Sequence, residues 1–91
     1  MRETKEIIEE WLEKEKSFRY QMLGRLASDC EYYLGYGNRG VERLWAHDES
    51  RQIELMIALY NSFGADEKPQ WLSWEQIMEY KKEMISNPIN Q

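Results

Sequence analysis

Apolar residues recur along the first third of the chain at Ile8, Trp11, Phe18, Met22, Leu26, Cys30 and Tyr33, at spacings of three, four or their sum. That is the spacing of one helical face. The segment from Arg2 to about Leu34 has no proline and only Gly24 as a weak interior residue, so it reads as one long helix or as two joined near Ser17. Glu15 interrupts the stripe. Glycine and proline then punctuate the chain in three places: Gly35 to Gly40, Gly64 to Pro69, and Pro88. Between the first two, Val41 to Ala46 has room for one or two helical turns. Asp48 is placed to cap a following helix, with Glu49 adding favourable charge to its first turn. That helix runs to about Phe63: Ile53, Met56, Ile57, Tyr60 and Phe63 make one face, widened by Leu55 and Leu59, and it belongs at the centre of a bundle. Gly64 follows where a left-handed C-cap is expected. Ser73 with Gln76 forms a capping box for a last helix through about Ile85, with Trp74, Ile77, Met78, Lys81 and Ile85 near one side, and Asn87-Pro88 ends it. No segment alternates strictly between apolar and polar residues, so a sheet has no source. The expected fold is all-α, a bundle of three to four helices with a long charged N-terminal helix.

Ninety-one residues suffice for one domain. Within it, residues 1–19 read as a charged helical extension, 20–86 as the helical domain and 87–91 as a tail. The chain is 42% hydrophobic and 13% aromatic, which is enough to build a core. The charged N-terminus RETKEIIEEW is unlike a signal peptide, and no apolar run has membrane-spanning length, so a cytoplasmic protein without membrane contact is expected. A single cysteine and a single histidine leave no internal disulfide and no metal-ligand cluster to expect. No cofactor is expected either. The net charge is −5, with both ends acidic and the middle slightly basic. This balance disfavours direct nucleic-acid binding and favours a basic protein partner.

The stretch YYLGYGNRGVERLW, Tyr32 to Trp45, is the part of the chain most like a ligand loop. Its glycines match GxGxxG only formally, because no strand precedes them. Instead, Gly35 closes the first helical block and Gly37-Asn38 turns the chain through positive backbone angles. Arg39 and Arg43 form either a small anion clamp or pairs with Asp29, Glu31 or Glu42. Direct DNA contact would require Arg19, Arg25, Arg39 and Arg43 to converge. Cys30, His47 and Asp29 offer the residue types of a thiol nucleophile and its base, but Cys30 lies on the apolar stripe and reads as a buried hydrophobe. No catalytic residue is assigned, and no enzyme is expected. Glu3, Glu6, Glu10 and Glu13 share one helical side, and Glu75, Glu79 and Glu83 another. Such rows are solvated faces, partly neutralised by pairs such as Glu10 with Lys14 and Glu79 with Lys82, or docking surfaces for an arginine-rich protein. Trp71, Leu72 and Trp74 read as a core plug. Trp11, with Ile7, Ile8 and Leu12 in the most charged segment, reads as a surface patch suited to a partner helix or a homodimer.

The order YQMLGRLASDCEYYLGYGNRGVERLWA, then QIELMIALYNS, then EKPQWLSWEQIMEYKKEM resembles the large polyvalent protein-associated domains, in the short helical type found in mobile elements of Gram-positive bacteria. The resemblance covers about Tyr20 to Met84, and its most specific parts are SDCEYYLGYGNR and EKPQWLSWEQI. It implies a domain that occurs alone or fused within very large proteins, assists an element after entry into a new host, and carries no assigned catalytic residue. The expected role is a non-enzymatic protein-interaction or accessory module of a phage, plasmid or conjugative element. The alternative is a counter-defence inhibitor, an anti-CRISPR or anti-restriction protein whose acidic helices occupy a basic nucleic-acid-binding host protein.

Overall fold

The computed structural model of the chain describes residues 3–36 and 38–85. Its elements are α1 (Thr4–Leu12), α2 (Lys16–Gly35), a 3-10 turn (Val41–Arg43), α3 (Glu49–Asn61) and α4 (Trp74–Ile85), with no strand among the described residues. The all-α expectation holds. Arg2, Gly37, Asn87-Pro88 and the 87–91 tail lie outside the described residues.

The first block is two helices. A continuous helix over Thr4 to Gly35 would be about 48 Å long, whereas the longest extent of the molecule is 39 Å. The break falls at Glu13 to Glu15, where the apolar stripe is interrupted, with neither glycine nor proline to force it. Trp11 and Phe18 close the corner edge to face, their centroids 6.3 Å apart. The Arg19 guanidinium donates to the Lys14 carbonyl at 3.1 Å, which pairs one of the backbone groups exposed there.

α3 packs against α1, α2 and α4 and is the central helix. Ile53, Leu55, Met56, Leu59, Tyr60 and Phe63 are all buried, and Ile57 is half-buried. Its start is dictated locally: the Asp48 carboxylate accepts from the Arg51 amide at 2.9 Å. α4 starts in the same way, with the Ser73 hydroxyl accepting from the Gln76 amide at 3.0 Å. The buried stripe of α4 is Ile77, Tyr80 and Met84, while Trp74 and Lys81 are exposed. The helix is therefore rotated from the expected face, because α3 and α2 approach it from the Tyr80 side.

One glycine expectation is corrected, the left-handed Gly64, because no described glycine has positive φ. The left-handed positions among the described residues are Asn38 (φ 52°), as expected of the corner, with Arg39 (φ 58°) and His47 (φ 58°). At the end of α3, Lys68 takes the place of a left-handed Gly64. Its ammonium donates to the carbonyls of Phe63 at 2.7 Å and Tyr60 at 3.1 Å, at the negative end of the helix dipole.

Trp11 is also corrected: it is 6% exposed and belongs, with Ile7, to the main core, so it does not form a surface patch. Its ring meets Trp45 with centroids 4.9 Å apart. The segment carrying Trp45 is held by two side chains. Asp29 accepts from the Trp45 amide at 2.9 Å, and Gln52 accepts from the Ala46 amide at 3.0 Å while donating to the Leu26 carbonyl at 3.2 Å. Gln52 is fully buried, and these partners satisfy it.

Candidate functional site

On α2, Gly24, Ala27, Ser28, Glu31 and Gly35 follow one another at steps of one to four residues, with small side chains at most positions. Small residues cannot fill the space between two helices, and here they leave it open. A groove of about 350 Å³ runs between this part of α2 and Trp71, Leu72, Gln76 and Tyr80. It continues past Glu31, Gln76 and Tyr80 into a second stretch of about 280 Å³, bordered by Gly35, Glu79 and Glu83. Because the two stretches share three residues, they form one trough along the α2–α4 seam.

The two ends differ in chemistry. At the first, Trp71 is 55% exposed and leans on α2, its ring 3.7 Å from where a Cβ on Gly24 would stand. Leu72 beneath it is buried and Trp74 is 38% exposed. Of the expected core plug, then, only Leu72 is a plug. The second end carries carboxylates from both helices. The Tyr80 hydroxyl donates across the seam to the Glu31 carboxylate. Burial first, and that hydrogen bond second, push the Tyr80 hydroxyl pKa up, so it stays a neutral donor. Among the described residues, no cation pairs with the carboxylates of Glu31, Glu79 or Glu83, and the expected Glu79–Lys82 pair is not formed. Ion pairs do form elsewhere, among them Lys16–Glu67 at 2.6 Å and Arg25–Asp29 at 3.6 Å.

The remaining candidates are dispersed. Glu3, Glu6, Glu10 and Glu13 are exposed on and around α1, and Glu75 is exposed on α4. Arg39 and Arg43 do not form a clamp. Arg39 donates to the Glu83 carbonyl at 2.9 Å and lies 5.8 Å from the Tyr33 ring centroid; Arg43 lies 5.4 Å from that of Tyr32. Arg39 thereby caps the last turn of α4 and ties the glycine-rich corner to it. Arg19 donates to the Ser62 hydroxyl at 2.8 Å, so the four arginines considered for DNA contact are each engaged within the molecule. Cys30 is fully buried, 3.7 Å from the Met56 sulfur. Burial, with Asp29 and Glu31 nearby, pushes its thiol up to about 12, and His47 is an exposed left-handed residue leading into the Asp48 cap. The thiol is a packing group.

Glu79 and Glu83 were marked by the sequence as part of an acidic row, whereas Glu31 and the exposed Trp71 were missed as site residues. The available signal was the run of small residues on α2. It identifies an open helix face but does not say which helix stands opposite.

Comparison with curated proteins and with solved structures gives no match. A family model, that of large polyvalent protein-associated domain 11, matches residues 16–84, from the first residue of α2 nearly to the end of α4. Both walls of the groove and the glycine-rich corner fall inside the matched region. The chain therefore belongs to the large polyvalent protein-associated domain 11 family.

Proposed function

We propose that this chain is a non-enzymatic protein-interaction module of a bacterial mobile genetic element, acting in the host cytoplasm, with the α2–α4 groove as its contact surface. The observation that carries this reading is the groove itself, an open trough with an exposed tryptophan at one end and carboxylates at the other. Membership of a family associated with polyvalent proteins fits an accessory role. The buried, strongly protonated Cys30 supports a non-enzymatic reading, since a thiol nucleophile must be exposed and ionised. The test is affinity capture from a host lysate, with the natural chain beside Ser28→Trp, which fills the groove from an exposed position. A host protein retained by the first and lost by the second is the expected result. Equal retention by both, or no protein specifically retained by the natural chain, overturns the reading.

A second reading, the counter-defence inhibitor, is favoured by one observation: the carboxylates of Glu75, Glu79 and Glu83 stand exposed along α4. It predicts binding to a purified host nuclease that weakens steeply with salt. Charge reversal at Glu75 and Glu79 without effect removes it.

A further inference from the structure

Resting on the interaction reading above, we infer that the groove docks an arginine-bearing segment of a partner protein, the guanidinium meeting Glu31, Glu79 and Glu83 and an adjacent apolar side chain lying on Trp71. The groove follows α2 from Gly24 to Gly35, about 16 Å at the helical rise, which matches roughly five residues of extended chain or three turns of helix. Carboxylates from two facing helices border one end, and no internal cation neutralises them among the described residues. A cation brought by the occupant is therefore the complement of that end.

Arginine fits better than lysine for two reasons. Its planar fork can bond carboxylates on both walls at once, and it is more weakly hydrated, so less is lost on entering a partly enclosed trough. At the other end, Trp71 offers a half-exposed indole over small residues, a platform for an apolar or planar side chain. A second copy of this chain is a poor occupant. It carries the same net charge of −5, and Arg19, Arg25, Arg39 and Arg43 are already engaged within their own molecule.

The test uses the full chain and a synthetic peptide of about ten residues in which arginine is interspersed with leucine and alanine, sized to the groove. Matched peptides carry lysine or neutral citrulline in place of arginine. Calorimetry gives the affinities, and amide chemical shifts locate the contact. The expected result is binding that perturbs residues around 24–35 and 71–83, is weaker for lysine and is lost for citrulline. Glu79→Lys with Glu83→Lys weakens binding about tenfold or more, which is about 1.4 kcal/mol, while Glu3→Lys with Glu13→Lys leaves it nearly unchanged.

Equal binding of the citrulline peptide overturns the inference, as does equal weakening by the α1 substitutions, which marks general attraction to an acidic body. Displacement of the peptide by spermidine at comparable concentration also overturns it, by marking a site for any polycation. A lysate partner lost on Ser28→Trp but indifferent to Glu79→Lys and Glu83→Lys would leave the interaction reading standing and remove this one.

Discussion

Trp11 and Trp71 carry the same side chain into different circumstances. Trp11 sits in the most charged segment of the molecule and is almost wholly buried; Trp71 follows a proline in a segment rich in aromatic residues and stands half in solvent. The difference lies in what comes to meet each ring. Trp45, braced by Asp29 and Gln52, arrives beside Trp11, and Phe18 folds back over it across the α1–α2 corner. Trp71 approaches the bare backbone of Gly24, its ring 3.7 Å from where a Cβ would stand, and 55% of the residue stays exposed. One tryptophan is therefore a structural residue and the other a presented surface, and neither role follows from the residues beside it in the chain.

This comparison is most exposed to a truncation of each ring. Trp11→Ala should cost about 3–5 kcal/mol, and Trp71→Ala about 1–2 kcal/mol, since much of its ring area is already hydrated. Equal midpoint shifts in denaturant titrations would break the distinction. Next in size, Gln52→Leu should cost about 1–3 kcal/mol, because the Ala46 amide and Leu26 carbonyl are left unpaired in the core. In the same variant, the fluorescence of Trp11 and Trp45 should report a loosened contact; an unchanged melting temperature would show that the brace is dispensable. Gly24→Ala should raise stability by about 0.5–1 kcal/mol, through helix propensity. A Cβ there meets the Trp71 ring at an ordinary contact distance, so the groove is expected to survive and the melting temperature to rise.

The smallest effect concerns Lys16 and Glu67, which tie the start of α2 to the loop leading to Trp71. The hydrogen bond and charge of Lys16 hold the Glu67 carboxyl below its ordinary value of 4.5, so this contribution is present above that pH and fades as acid protonates the folded form. The partner effect raises Lys16 above 10.5, so its contribution is present below that pH and fades as alkali removes its proton. Both groups are exposed, so Glu67→Gln should flatten the acid limb of the stability profile only slightly, and added salt should hide the change. A large flattening would mean that the Trp71 end depends on this tie far more than its exposure suggests.

Much of the fold was legible in the residues. The caps at Asp48 and Ser73, the central place of α3, the end of α2 in the glycine-rich corner and the all-helical class all rest on local spacing. The corner itself was legible as a turn with Asn38 in left-handed backbone, although the left-handed Arg39 beside it was not foreseen. The candidate site was half legible: Glu79 and Glu83 stood out as an acidic row, while the groove that gives them a direction needed α2 opposite α4.

What the sequence determined by itself is what residues within about four positions of one another decide, namely helix starts, helix faces and breaks at glycine and proline. Tertiary structure decided the α1–α2 break, the rotation of α4, the Lys68 cap on α3, the burial of Trp11 and the exposure of Trp71. Each of these depends on a group elsewhere in the fold, Trp45 for Trp11 and Gly24 for Trp71. Burial is a property of the pair of surfaces that meet, and a periodic pattern describes only one of them.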